Sequence, residues 1–269
     1  MRLIIPFHQT VLCLLFGLAL LPSQGAAETG TADAEQTDKP LVFTLPGVYP
    51  WAMQSESDSG EDKGILVDLV KALEQRSELP LEYHIRPLPR NILELRQGEA
   101  DYSFIFEIPD AETFARPLSE LMEVRILLIG PVDAESVDSL ADMDGANIGY
   151  IRGSWVGDFY AREEGIHAVP IRDFSHGLQL IARQRLEGIV IGEIALMSDY
   201  EPQAGDPPIR IMTELSRTKG LMYFSTASDR GDSVPILSRA MQDIVDDGTL
   251  DAVMRRWFRV ALPAIPGDE

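Results

Sequence analysis

Short apolar runs that alternate with stretches of helical periodicity constrain the fold of this chain more than any other feature. The strand-like runs lie at 41–45, 81–85, 101–106, 124–129, 148–151 and 189–191. Between them, apolar residues recur at helical spacing, as at Leu66, Leu69, Val70 and Leu73. Alternating strands and helices are typical of layered α/β structures in which most strands are parallel. The sequence therefore predicts an α/β fold.

Polar caps and glycines mark where the predicted helices begin and end. Asn91 and Ser175 are expected N-caps, because their side chains can accept a hydrogen bond from a backbone N–H of the first turn. Gly98 is expected to end the helix that follows Asn91, since glycine readily adopts the left-handed conformation of a helix C-terminus. Ser233 and Gly248 bound an amphipathic helix near the end of the chain in the same way.

The first 27 residues have the three parts of a secretory signal peptide. Arg2 supplies the positive end, 11–21 is an apolar run, and 23–27 offers small residues for cleavage after Ala27. The run is shorter than the ~20 apolar residues that span a bilayer, although a retained anchor helix is the alternative. Cleavage removes Cys13, the only cysteine, so the mature protein is expected in the periplasm without disulfides. Residues 28–40 are polar and read as a flexible leader.

The charge of the chain excludes two classes of partner. Its 269 residues include 23 Lys and Arg against 43 Asp and Glu, a formal charge of −20. Sequence-independent nucleic-acid binding and docking on anionic lipid both depend on Lys and Arg. We therefore expect neither partner. The histidines outside the predicted signal peptide are His84, His167 and His176, and they do not have the spacing of metal ligands. We therefore expect no metal ion and no cofactor.

Four motifs in order resemble the family 3 periplasmic solute-binding proteins, which have the two-lobed type II fold and deliver polar amino acids to ABC importers. The motifs are 64–69 (GILVDL), 95–101 (LRQGEAD), 139–145 (SLADMDG, followed by a strand and Gly153–Ser154) and 247–258, which begins DGTL and ends Trp257-Phe258. Each motif is weak alone, and their order makes the signal specific. The resemblance covers about 41–258, nearly the whole mature chain.

The resemblance implies an α/β architecture of two discontinuous lobes joined by two crossing strands. The first lobe would comprise 41–125 and 221–262, the second 126–220, and 263–269 would be a tail. A small polar ligand would bind in the cleft between the lobes, a place that small-molecule sites favour in general. The family further implies a monomer that works with an ABC permease in the inner membrane.

The chain departs from the family at both anchors of an α-amino acid. Amino-acid-binding members clamp the ligand carboxylate with an arginine, and this position holds Thr113, or Glu112 if shifted by one. Arg116 could replace the clamp only if the loop is rebuilt. The family aspartate that receives the ammonium group is replaced by Gly192, with Glu193 beside it. We therefore expect a ligand other than a standard α-amino acid.

Aromatic residues after two strands are candidates for ligand contact. Tyr49 and Trp51 follow the first strand, where the family's first ligand-facing loop lies, and their rings could stack on a planar or cationic ligand. Packing between lobe and loop is the alternative for both. Phe106 and Glu107 end a strand at the expected edge of the cleft. Glu107 could receive a ligand cation or remain an ordinary solvated carboxylate.

Two further positions complete the expected site. Arg90 could contribute a charge in the cleft or form a salt bridge. Ser154, followed by Trp155, opens a helix, so its hydroxyl could bind an anionic group or serve as an N-cap. The predicted ligand-binding residues are therefore Tyr49, Trp51, Arg90, Phe106, Glu107, Thr113, Ser154, Trp155 and Glu193.

Three functions fit these features, and the sequence favours the first. One is a binding protein that delivers its ligand to a permease, and therefore not an enzyme. The second is a periplasmic cyclohexadienyl or arogenate dehydratase, which some relatives are; it would need a general acid such as Glu107, Glu112 or Glu193. The third is an orphan sensor that reports ligand to a membrane partner. The fold alone does not separate the three.

Overall fold

The computed structural model describes residues 39–57, 60–108, 110–200 and 205–259. Within them the strands are β1 Leu41–Pro46, β2 Leu81–Arg86, β3 Tyr102–Phe106, β4 Ala115–Pro131, β5 Asn147–Ile151, β6 His167–Ile171, β7 Gly188–Gly192 and β8 Ile209–Ser225. The α-helices are α1 Ile65–Ser77, α2 Leu88–Gln97, α3 Trp155–Tyr160, α4 Phe174–Ala182, α5 Glu193–Asp199, α6 Val234–Asp246 and α7 Thr249–Arg255. The predicted signal peptide, most of the predicted leader and the predicted tail lie outside the described residues.

The strands form one eight-stranded sheet in the order β2-β1-β3-β8-β4-β7-β5-β6. The outer strands pair in parallel, whereas β4 and β8, 17 residues each, run antiparallel through the centre. Near one end β8 pairs with β3 at 220–224, and towards the other β4 pairs with β7 at 126–129. The two long strands therefore connect two groups of elements, as predicted.

We call β1–β3, α1, α2, α6 and α7 the first lobe, and β5–β7 and α3–α5 the second lobe. The first lobe is discontinuous, because α6 and α7 follow β8, at the far end of the sequence from β1. The predicted lobe limits near 125 and 220 stay predictions. Among the described residues, no helix combines the length and apolar character that crossing a membrane requires.

Buried aromatic and aliphatic side chains hold the first lobe together. The ring of Phe43 in β1 lies between those of Tyr102 and Phe104 in β3, with centroid distances of 5.1 and 5.4 Å. Leu69 of α1 is fully buried in the same cluster. The apolar face that helical periodicity predicted for α1 is therefore its packed face.

Two predicted helix starts are wrong, for different physical reasons. Helix α2 begins at Leu88, three residues before Asn91, because Pro89 fits a first turn whose N–H groups need no partner within the helix. Asn91 is instead buried and accepts a hydrogen bond from Ser103 Oγ. Helix α4 is capped by Asp173 rather than Ser175, since the Asp173 carboxylate accepts from the backbone N–H of residue 176. Gly98 ends α2 with φ 73°, as predicted.

A buried carboxylate ties α2 to the sheet of the first lobe. Glu94 is 3% exposed and accepts hydrogen bonds from Arg86 Nε (2.8 Å), Arg90 Nε (2.9 Å) and Thr44 Oγ1 (3.1 Å). Burial alone would raise the pKa of Glu94, but these hydrogen bonds lower the pKa below its usual value. The network fixes α2 against β1 and β2 through charge-assisted bonds.

Candidate functional site

An apolar cavity of about 90 Å³ lies between the two lobes. It is lined by residues from the loop after β1, from the ends of β3 and β7, from β4 and β8, and from the start of α3. Five of the predicted ligand-binding residues line it: Tyr49, Trp51, Phe106, Ser154 and Trp155. The first three belong to the first lobe and the last two to the second, so the cavity depends on both lobes.

The lining carries no charge. Among the described residues that line the cavity there is no Asp, Glu, Lys, Arg or His. Its two hydroxyl groups are already engaged, since Tyr49 Oη donates to the Ser198 carbonyl at 2.7 Å and Ser154 Oγ donates to the Ile151 carbonyl at 2.8 Å. Ser154 Oγ also accepts from the Gly157 N–H at 2.9 Å, which makes it the N-cap of α3.

The start of α1 holds the loop that carries Tyr49 and Trp51. The first N–H groups of α1, on Ile65 and Leu66, donate to the carbonyls of Pro50 (3.0 Å) and Trp51 (2.9 Å). No side chain caps this helix, so the loop carbonyls satisfy donors that would otherwise have no partner. Gly64 has φ 143°, and a Cβ there would lie 2.3 Å from the Trp51 carbonyl oxygen. The glycine of the GILVDL motif therefore permits the close approach that positions Trp51.

Aromatic rings from both lobes meet in the cavity. The Phe106 ring contacts Trp51 edge-on at a centroid distance of 5.3 Å and Trp155 at 5.8 Å. Trp155 in turn stacks on Phe159, which is 49% exposed and does not line the cavity. Edge-on and tilted pairs at these distances are favourable arrangements of aromatic rings. The rings of Trp51, Phe106 and Trp155 thus form a continuous row from the first lobe to the start of α3.

Two hydrogen bonds from the first lobe cap the end of α5 in the second. The last carbonyls of a helix have no partner within it. At the end of α5, the Ser198 carbonyl accepts from Tyr49 Oη and the Met197 carbonyl accepts from the Arg259 N–H at 2.8 Å. A tyrosine hydroxyl is protonated at neutral pH, and burial raises the pKa of Tyr49 further, so Oη remains a donor. These contacts hold the lobes together in the arrangement described here.

Replacing Tyr49 with Phe should shift the protein towards an open form. The variant keeps the ring but loses the bond to Ser198, which is worth about 1 kcal/mol, or roughly fivefold in the equilibrium between closed and open forms. Small-angle X-ray scattering without added ligand should show a larger radius of gyration. Tyr102→Phe is the matched control, because Tyr102 pairs with Ser233 within the first lobe. Indistinguishable curves for wild type and Tyr49→Phe would contradict this role.

Three predicted residues of the first lobe lie away from the cavity. Arg90 donates to Glu94 and Glu99, the salt-bridge alternative that the sequence left open. Glu107 and Thr113 are exposed and border a separate depression beside Tyr223. Burial, together with the charges of Glu107 and Glu112, raises the pKa of Tyr223 to about 12.

Glu193, the remaining predicted residue, is paired with a crossing strand. Its carboxylate accepts from the backbone N–H and from Nε of Arg125, both at 2.8 Å, and both side chains are mostly buried. The neighbouring Gly192 does line the cavity. The family position for an ammonium-binding carboxylate is therefore an open, uncharged part of the lining. Arg116 lies over the Phe224 ring at 5.8 Å and does not line the cavity either.

Sequence reasoning missed the aliphatic part of the lining. These residues are Pro46, Val48, Leu66, Leu88, Leu121, Met122, Ile151, Val156, Val190, Ile191, Ala195, Gly220 and Leu221, among others. In the sequence they are indistinguishable from core residues of strands and helices. One signal was available, because Gly220 directly precedes the bulky residues 221–224 of the same strand. A glycine within a strand often marks a place where a ligand or another segment of backbone comes close. No cluster of metal-binding side chains occurs among the described residues.

Solved structures share this architecture at low sequence identity. The ligand-binding core of GluR0, in complex with L-glutamate, has a TM-score of 0.66 and 16% identity over 82% of this chain and 98% of that one. The amino acid ABC transporter substrate-binding protein AbpA from Streptococcus pneumoniae, bound to L-arginine, has a TM-score of 0.63 and 15% identity over 84% and 98%. The periplasmic VFT2 domain of Bordetella pertussis BvgS has a TM-score of 0.60 and 18% identity over 81% and 92%.

These likenesses confirm the fold that the four sequence motifs implied. No family model and no curated protein matches the sequence. The structural matches cover nearly the whole length of each neighbour, and the sheet order accounts for both lobes and for the two strands between them. The chain has the two-lobed type II periplasmic binding protein fold, with discontinuous lobes joined by two crossing strands.

Proposed function

We propose that the protein is an extracytoplasmic solute-binding protein that captures a small molecule between its lobes and acts with an ABC importer. The observation that carries this function is the cavity shared by both lobes. A molecule that contacts rings and backbone of both lobes stabilises their closed arrangement, because it binds that arrangement more tightly than an open one. Domain closure of this kind is the usual response of two-lobed binding proteins to ligand.

Several structural neighbours support this role. They include AbpA, a substrate-binding protein of an amino acid ABC transporter, and a further substrate-binding protein of an amino acid ABC transporter. We propose that this protein works in the periplasm as a monomer, after removal of a signal peptide, and that it passes its ligand to a permease. The sequence led us to expect a polar ligand that is not a standard α-amino acid; the uncharged lining supports the second part of that expectation.

Standard α-amino acids should bind weakly or not at all. Neither Thr113 nor Glu112 lines the cavity, and its described lining offers no guanidinium for the carboxylate and no carboxylate for the ammonium group. The loss of a charge-assisted hydrogen bond costs about 1.5–3 kcal/mol, roughly a ten- to hundredfold loss of affinity. A thermal-shift panel of the twenty amino acids measures this directly. Micromolar binding of any of them would contradict the expectation.

A sensor is the second candidate function. The structural neighbours GluR0 and BvgS do not carry the name of a substrate-binding protein. The contacts of Tyr49 and Arg259 join the two lobes within this chain itself. A permease encoded beside this protein supports import, whereas a membrane kinase or receptor partner supports sensing. A dehydratase is less well supported, because Glu107 and Glu112 border a different depression and Glu193 is held by Arg125.

A further inference from the structure

We propose that the cleft selects a small uncharged molecule with one flat apolar ring, an inference that rests on the proposed solute-binding role. It names the class of ligand for the cavity between the lobes. Three features carry it: the absence of an available charge, the row of aromatic rings, and the volume and hydrogen-bonding groups of the lining.

No charged side chain is available to a ligand in this cavity. Among the described lining residues none is ionisable at neutral pH, and the nearby Glu193 is already paired with Arg125. A charged group buried without a partner is strongly unfavourable, because it loses its hydration and receives no compensating interaction. A carboxylate, an ammonium group or a zwitterion is therefore rejected relative to a neutral molecule of the same shape.

The rings of both lobes favour a flat ligand. Trp51 and Phe106 belong to the first lobe, and Trp155 belongs to the second, with Phe106 in contact with both tryptophans. A planar molecule in the cavity can pack against rings of both lobes, which adds apolar area at little cost in side-chain entropy. Binding of such a molecule consequently joins the lobes.

The hydrogen-bonding groups of the lining fit a neutral oxygen. Among the described residues, the indole N–H groups of Trp51 and Trp155 have no partner, while the hydroxyls of Tyr49 and Ser154 are engaged. An indole N–H only donates, so it can bind a hydroxyl or carbonyl oxygen. An ammonium group would find only the ring faces, whose attraction of about 2 kcal/mol does not replace the hydration that the buried charge loses. The cavity volume of about 90 Å³ also lies below the ~300 Å³ at which drug-sized pockets begin, which limits the ligand to about one ring.

Four molecules that share one ring test the class. Benzyl alcohol is neutral, benzoate is an anion, benzylamine is a cation and phenylalanine is a zwitterion. Isothermal titration calorimetry of the purified, ligand-depleted protein should show benzyl alcohol binding at least tenfold more tightly than each charged relative. Equal or tighter binding of any charged relative overturns the proposed class but leaves the solute-binding role intact. Absence of benzyl alcohol binding also overturns the class.

A pair of variants places the binding in the cleft. Trp155→Ala should weaken benzyl alcohol binding at least tenfold, whereas Phe159→Ala, on the same helix but outside the lining, should change it less than threefold. Trp155→Leu keeps an apolar side chain at this position, so its affinity for benzyl alcohol should lie between those of the two alanine variants. This variant controls for loss of folding as the cause of weaker binding. Equal effects of Trp155→Ala and Phe159→Ala overturn the proposal. The solute-binding role fails separately, if protein from its host contains no small molecule of any class.

Discussion

Replacing Glu94 with Gln should lower the free energy of unfolding by about 2 kcal/mol at neutral pH, because hydrogen bonds to charged groups are each worth about 1.5–3 kcal/mol. Glu94 is buried and accepts from both Arg86 and Arg90. Both guanidinium groups donate to the same oxygen, Glu94 Oε1, so the amide oxygen of Gln can still accept from them, but the bonds lose the negative charge that strengthens them. Both arginines are partly exposed, which keeps the loss below the roughly 3–5 kcal/mol of a fully buried pair. Urea unfolding measures the difference.

Glu99→Gln is the matched control for this substitution. Glu99 accepts from the same Arg90 at 2.6 Å, but its side chain is 49% exposed. An exposed ion pair contributes about 0–1 kcal/mol, so this variant should unfold at nearly the wild-type urea concentration. If Glu94→Gln and Glu99→Gln lowered the free energy of unfolding equally, burial of Glu94 would not be the reason that its hydrogen bonds stabilise the protein.

The effect of Glu94 should depend on pH with a definite sign. Its hydrogen bonds hold the pKa of Glu94 in the folded protein below the value in the unfolded chain. The stabilisation is therefore fully present above the unfolded pKa of about 4.3 and is lost as the pH falls through the folded pKa. The difference in unfolding free energy between wild type and Glu94→Gln should shrink below about pH 4. A constant difference from pH 7 to pH 3 would contradict this account.

Replacing Gly220 with Leu should abolish ligand binding without destabilising the protein. A Cβ at Gly220 would lie 3.4 Å from Met122 Cγ and 3.8 Å from Phe106 Cε1, both in residues that line the cavity. A leucine there extends into a cavity of only about 90 Å³. We expect at least a hundredfold loss of affinity, equivalent to about 2.7 kcal/mol, for any probe that binds the wild type. The melting temperature should be unchanged or higher, since leucine fills space and suits a strand better than glycine.

Gly220→Ala is the control for this effect of volume. Its added methyl group meets its neighbours at ordinary contact distances, so binding should weaken by less than fivefold. Calorimetry with benzyl alcohol measures both variants. Undiminished binding by Gly220→Leu would place the site outside the cavity.

The fold was predictable because its signals are local and repeated. The strands β1, β3 and β7 coincide with apolar runs, β2 with the predicted strand 81–85, and the glycine after α2 ends that helix as expected. The order of four motifs added the connection between the lobes. The predicted N-caps Asn91 and Ser175 lie four and two residues after the observed N-caps, Pro87 and Asp173. A proline in the first turn of α2 and an aspartate directly before α4 set these earlier starts.

The candidate site was predictable only where a residue is conspicuous in the sequence. Tyr49, Trp51, Phe106 and Trp155 are large aromatic side chains next to strand or helix ends, and the structure brings all four to one cavity. Charged candidates are different, because their role depends on partners far away in the sequence. Arg90 is held near Glu94 within its own helix, but Glu193 is paired across 68 residues with Arg125, a partner that no local pattern reveals.

Mass spectrometry of the small molecule that copurifies with the protein from its own host tests the central claim most directly. Wild-type protein and Gly220→Leu would be purified in parallel, denatured, and their extracts compared. The account predicts about one equivalent of a small, uncharged, ring-containing molecule per wild-type chain, and its loss from Gly220→Leu. Equal amounts of a molecule in both extracts, or no small molecule in the wild-type extract, would contradict capture of a solute in the cleft between the lobes.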